Sequence, residues 1–251
     1  MSQANSGRST GLATSLIFAT SVIAASWLVA THMRDIGNAK QSIVVKGLAE
    51  KDIQADYAEM KVGIRVIAPK FDEALAKLRQ LKPELDQFIS SREFPASALQ
   101  TGSESVDANF VQEELENGRV RQVQRGYLAQ QQVTIKSQDL AKIAALAKAA
   151  LEKNASGFPI SYSQPNYLVS DLEKVKMSLI GAATQNAKAR ADEFARVGQV
   201  KVGVMRSASQ GAFYILPRGE VVDSQEYGGS YDKSSVNKTA RVVVTIEYGI
   251  N

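Results

Sequence analysis

YAEMKVGIRVIA, residues 57–68, is the stretch whose pattern sets the fold. Ala58, Met60, Val62, Ile64 and Val66 alternate with Glu59, Lys61 and Arg65. A period of two belongs to a strand with one dry face and one wet face, because successive side chains leave a strand on opposite sides. The preceding SIVVKGLAEKD, residues 42–52, is valine-rich with Gly47 inside it, and it reads as a partner strand joined by a turn near Asp52 to Asp56. The following KFDEALAKLRQLKPELDQFI, residues 70–89, changes period: Phe71, Leu75, Leu78, Leu85, Phe88 and Ile89 fall at helical spacing. Pro83 should kink or split this helix, since proline removes a backbone donor and clashes with the preceding turn.

Further on, VQEELENGRVRQVQ, residues 111–124, predicts a hairpin. Asn117-Gly118 supplies the two positive-φ positions of a type I′ turn. That turn fixes a register in which Glu116 faces Arg119, Leu115 faces Val120 and Glu114 faces Arg121, so opposite charges meet across both polar rungs. Glu113, Glu114 and Glu116 lack the Asp, Asn and Gly spacing of a loop cation site. The second strand runs on through GYLAQQQVTIK, residues 126–136, which is long for a strand. Either it carries a bulge or its tip projects beyond the domain.

The second half repeats this kind of order. DLAKIAALAKAALEK, residues 139–153, is a helix with Leu140, Ile143, Ala147 and Leu151 on one stripe. GFPISYSQPNYLVS, residues 157–170, is strand-like and limited by Pro159 and Pro165. Ser170 and Glu173 form a capping-box pattern ahead of a helix that buries Leu172, Val175, Leu179, Ala183, Ala187, Ala191 and Phe194, with Gly198 placed to end it. VKVGVM (200–205), AFYIL (212–216) and RVVVTIEYG (241–249) follow as strands, the last with Val242, Val244, Ile246 and Tyr248 on one face. Between them, residues 217–238 are Gly/Ser-rich without periodicity and read as a mobile loop.

Ahead of all this lies GLATSLIFATSVIAASWLVA, residues 11–30, without a charged side chain. Its length suits a membrane-crossing helix of about 20 residues better than a secretory core of about 7–15. Ala24-Ala25-Ser26 leaves one small-x-small cleavage option, so a signal peptide remains the alternative to an anchor. The flanking charges, Arg8 before and Arg34 and Lys40 after, do not orient the span. The expected organisation is a polar segment at 1–10, a signal anchor or signal peptide at 11–33, a linker at 34–41 and one domain at 42–251. The fold class is α+β, with mixed or antiparallel sheets and amphipathic helices behind one N-terminal hydrophobic helix.

Composition narrows function. The chain has a formal charge of +4, yet from Asp35 onward 28 basic residues (30 less Arg8 and Arg34) meet 26 acidic ones, so nucleic acid is not an expected partner. No cysteine is present, which removes disulfides, thiolate nucleophiles and lipidated cysteine anchors. The single histidine, His32, sits at the end of the hydrophobic span, so a His-dependent triad or a His-based metal site is not expected. No catalytic residue, metal ligand or cofactor is assigned.

IVVKGLAEKDIQADYAEMKVGI (43–64), AKARADEFARVGQVKVG (187–203) and RVVVTIEYGI (241–250) together resemble the SIMPL domain family of bacterial envelope proteins. The resemblance implies an exported or membrane-anchored α+β protein, periplasmic or outer-membrane associated, of a kind described as immunogenic or linked to oxidative stress. Some relatives form large hollow oligomers, and none has established catalytic residues. The reading is therefore a self-associating structural or interaction protein of the cell envelope, anchored through residues 11–33. A periplasmic ligand-binding module is second and an envelope enzyme third. The candidate oligomerisation element is the hairpin, with Phe110, Glu114, Leu115, Glu116, Arg119, Val120 and Arg121 as its contact residues. An unpaired ribbon edge is a template for another chain.

Overall fold

The computed structural model describes residues 26–27, 41–114, 118–220 and 229–250. The hydrophobic stretch and linker expected before residue 41 lie outside these, apart from Ser26 and Trp27. Among the described residues, no helix is long and apolar enough to cross a membrane. The strands are β1 (Ser42–Gln54), β2 (Tyr57–Ala68), β3 (Leu99–Thr101), β4 (Ser105–Glu114), β5 (Val120–Ser137), β6 (Ile160–Tyr162), β7 (Asn166–Leu168), β8 (Val202–Pro217) and β9 (Asn237–Ile250). The helices are α1 (Phe71–Ser90), α2 (Leu140–Ala155) and α3 (Leu172–Val197). This is an α+β fold. Contacts divide it into two compact units, one holding Met177–Ala212 and Arg241–Asn251 with the chain up to Ala49, the other Glu50–Lys176 and Phe213–Ala240.

The second unit is built on β2. Its alternating face, Ala58, Met60, Val62, Ile64 and Val66, is buried throughout, as the pattern predicts. β2 pairs antiparallel with β5 from Ala58↔Ser137 to Ala68↔Tyr127, and its other edge is taken by β6 and β7. β3 and β4 pair with the far edge of β5. Over this sheet lie Ala74, Leu78, Leu85 and Ile89 of α1 with Ile143, Leu146 and Ala150 of α2, forming one core. α1 runs unbroken through Pro83. Pro83 lies on the exposed side of α1, where the carbonyl it leaves unpaired can turn to water.

β1 is not the partner of β2. It edges a separate three-stranded sheet of order β1-β9-β8. The Gln41 carbonyl accepts from Ile250 N–H, Thr239 donates to Asp52, and Gln54 donates to Asn237, so β9 falls as β1 rises and the pair is antiparallel in one register. Strand adjacency in sequence is a preference that a better long-range match overrides. In the first unit α3 presents Leu179, Ala183, Ala187 and Ala191 as a buried stripe. Small side chains allow a close approach: a Cβ at Gly47 would stand 2.0 Å from the Ala183 carbonyl oxygen.

Three helix details depart from expectation. The α3 cap is Asp171, whose carboxylate accepts from Lys174 N–H at 3.1 Å, while Ser170 donates to Asp56. At its other end the left-handed position is taken by Gln199, φ 55°, one residue past Gly198, and Val200 N–H reaches back to the Ala195 carbonyl. Phe194 and Leu151 are exposed, and the stripes run instead through Ala195 and through Leu146.

Candidate functional site: the β4–β5 arm

β2 stops at Ala68, opposite Tyr127, and β3 reaches only Val133, so among the described residues β5 from Val120 to Gln124 has β4 as its sole strand partner. The result is a two-stranded arm, a structure only marginally stable by itself in water. At its root the ladder slips. Ala108 faces Tyr127 but Phe110 faces Gln124, so Arg125 and Gly126 together oppose Asn109. This is the bulge that the length of β5 called for. Gly126 has φ +80°, and a Cβ there would lie 2.3 Å from the Ala68 carbonyl oxygen, so the position requires glycine for both backbone angle and space. Asn109 Nδ2 donates to the Arg125 carbonyl at 3.1 Å and closes the bulge.

The bulge corrects the expected register. Beyond it Glu113 faces Arg121 and Glu114 faces Val120, one residue off the pairing that a two-residue turn dictates. Gly118 does take a left-handed backbone, φ 71°. Leu115 and Glu116 lie outside the described residues, and Arg119 is exposed just before β5. Alternation then places Phe110, Glu114 and Val120 on one face and Arg121 on the other. Phe110 is 58% exposed and Val120 61%, so the first face offers apolar surface with glutamines, Gln112, Gln122 and Gln124, around it.

Sequence reasoning missed the centre of the second face. Glu113 accepts from Arg125 Nε at 3.1 Å and also from its Nη2, and from Arg121 Nη2 at 3.3 Å. Hydrogen bonds from Arg125 and then Arg121 hold the Glu113 carboxyl below the usual carboxylate range. Both arginines are open to water and Glu113 is only half-buried, so the cluster steers and orders more than it stabilises. Its signal was present as two arginines spaced to reach one glutamate across a ribbon, but the wrong register hid it. An open groove of about 440 Å³ lies at the arm's root, lined by Ile67, Ala68, Pro69, Gln124, Arg125 and Gly126.

A second constellation sits where a mobile loop was expected. Residues 229–236 are ordered around Asp232, which accepts from the backbone and hydroxyl of both Ser234 and Ser235 and from Lys238 Nζ at 2.9 Å. The Lys238 side chain is 0% exposed and also donates to the Asp232 carbonyl at 2.7 Å. Burial pushes the Asp232 carboxyl up, but the bonds from Ser235, Lys238 and Ser234 together outweigh it and hold it well below the ordinary range. Both carboxylate oxygens of Asp232 and the Lys238 ammonium are bonded within this turn, which makes the cluster a clamp for the chain. Asp-x-Ser-Ser is a local turn signal that the sequence did print. Among the described residues no group of three or more His, Cys, Asp or Glu could hold a metal ion.

Residues 43–248 match the model of SIMPL, described as a protein of unknown function (DUF541). The chain belongs to the SIMPL family. The match takes in all of the second unit, part of the first and the whole arm. Among curated proteins none matches this SIMPL protein.

Proposed function

We propose that this SIMPL protein is a structural, self-associating component of the cell envelope, held to the membrane by residues 11–33 with its main domain in the periplasm, and that it supports envelope or oxidative-stress tolerance. The observation that carries the reading is the arm, a two-stranded ribbon in which β4 and β5 outrun the other strands of the six-stranded sheet, with Phe110 and Val120 exposed on one face. Such a ribbon gains stability when another surface covers it. Placement in the envelope is supported by the 20 uncharged residues at 11–30 and by the character of proteins that the chain resembles.

Light scattering on the full chain in mild detergent tests this. The wild type is expected at a defined multiple of the 27.1 kDa chain mass, and Phe110→Ser with Val120→Ser at a lower multiple with an unchanged far-ultraviolet spectrum. A wild type at the mass of one chain refutes self-association, and an unchanged mass for the folded double variant removes the arm from the interface.

A further inference from the structure

In the first unit, the Lys46 carbonyl accepts from Arg190 Nη1 and Leu48 N–H donates to Asn186, both at 3.1 Å, so β1 runs toward its start as α3 runs toward its end. β9 ends beside that start, where Ile250 meets Gln41, and β8 begins there because Ser207 meets Glu247. One end of the unit therefore carries Val44, Phe194, Val197, Val204 and Met205, all exposed, with Val197 at 69% and Val204 at 77%, and Val204 and Met205, successive on β8, project from opposite faces of the sheet. Scattered exposed apolar residues need no explanation, but several gathered at one end do.

Two observations say what covers this end. The described part of the unit carries seven basic side chains, among them Lys46, Arg190, Lys201 and Arg206, against only Asp192, Glu193 and Glu247. Asp192 is already paired with Lys188 and Glu193 with Arg196, so Lys46, Arg190, Lys201 and Arg206 have one acid of the unit, Glu247, among them. The second is reach. Eleven residues, 31–41, separate the uncharged stretch from β1, a span of at most about 40 Å. The tether enters the unit at this same end.

We infer that this end of the first unit docks on an anionic bilayer surface, its valines, Phe194 and Met205 entering the headgroup boundary and Lys46, Lys201 and Arg206 meeting lipid phosphates. The inference rests on the anchor reading for its tether and goes beyond it in assigning the face the domain turns to the membrane. Each lysine or arginine near an anionic surface shifts such an equilibrium by about fivefold.

The chain has no cysteine, so single spin labels can be placed without background. The full-length protein is reconstituted in vesicles of phosphatidylethanolamine with phosphatidylglycerol, labelled at Val204→Cys or at Gln210→Cys, which lies on the same strand about 20 Å further along. The label at 204 is expected to lose access to a water-soluble relaxation agent and the label at 210 to keep it. Lys201→Gln with Arg206→Gln should shift the docked population about 30-fold toward water at unchanged circular dichroism. Equal water access at 204 and 210 in the anionic vesicles overturns the inference. Carbonate extraction of the same vesicles reads the anchor separately. Retained protein with 204 open to water leaves the anchor and removes the docking face, released protein with 204 shielded before the wash does the reverse, and protein that never floats with vesicles removes both.

Discussion

The Asp232–Lys238 clamp makes the firmest quantitative prediction. Lys238 is fully buried, its ammonium bonded to the Asp232 carboxylate and carbonyl, with its Nζ 6.0 Å from the Tyr231 ring centroid. Asp232→Asn keeps the shape, removes the counter-charge and leaves a buried ammonium with a neutral neighbour. Breaking a buried pair from one side costs about 3–5 kcal/mol. For a chain of this size that lowers the melting temperature by roughly 10 °C. Lys238→Met should cost less, because Asp232 retains four donors from Ser234 and Ser235. The double variant should recover part of the loss, with a coupling of about 2 kcal/mol. pH supplies the sign. The folded carboxyl of Asp232 lies below its unfolded value, so its contribution is full above about pH 4 and is lost as pH falls through the folded value. The gap between wild type and Asp232→Asn, followed by circular dichroism melts, should therefore narrow on acidification below about pH 4. A neutral-pH gap within about 0.5 kcal/mol, the range of ordinary surface changes, refutes the clamp.

Three further outcomes follow from local geometry. Gly47→Ala drives a Cβ to 2.0 Å from the Ala183 carbonyl oxygen and 2.8 Å from the Ala187 Cβ, and should cost about 1–3 kcal/mol or more in a urea titration. Asp171→Ala removes the bond to Lys174 N–H and should cost about 1 kcal/mol, with faster amide exchange confined to the first turn of α3, whereas Glu173→Ala should leave that turn intact. If residues 11–30 are retained as an anchor, the protein stays with membranes through a carbonate wash, and terminal sequencing that starts at Trp27 would show cleavage instead.

How much was legible depended on how far apart the interacting residues are. The buried faces of β2 and β9 were readable because alternation is local, and all nine of Ala58, Met60, Val62, Ile64, Val66, Val242, Val244, Ile246 and Tyr248 are buried. The pairing of β1 with β9 was not, since it joins residues nearly the whole chain apart and nothing at residues 42–54 favours that partner over β2. In α2 the run LAKIAALAKAAL has apolar residues on every side, so no polar boundary fixed the stripe and Leu146 replaced Leu151 in the core. Lys238 was unreadable for the opposite reason, because a lysine is assigned to water unless its partner is known.

The arm shows what a one-residue error does to function. With the pairing of a two-residue turn, Glu114 and Arg121 would oppose each other and mark the face that a partner meets. With the bulge at Gly126, the charged cluster of Arg125, Glu113 and Arg121 belongs to one face, and Phe110, Glu114 and Val120 belong to the other. Association through the apolar face then predicts a separation of effects. Glu113→Arg places three positive charges together and should loosen the tip, seen as faster amide exchange from Val120 to Gln124, while the mass of the assembly holds. Phe110→Ser should lower the mass while the tip retains its ion pairs, because Phe110 is mostly exposed and its partner across the ribbon is the uncharged Gln124. An exposed ion pair is worth about 0–1 kcal/mol, too little to hold an assembly, whereas burying a phenylalanine is worth about 1.5–3 kcal/mol in every copy. If Glu113→Arg dissociates the assembly and Phe110→Ser does not, the charged face is the interface and the assignment of faces to roles is reversed.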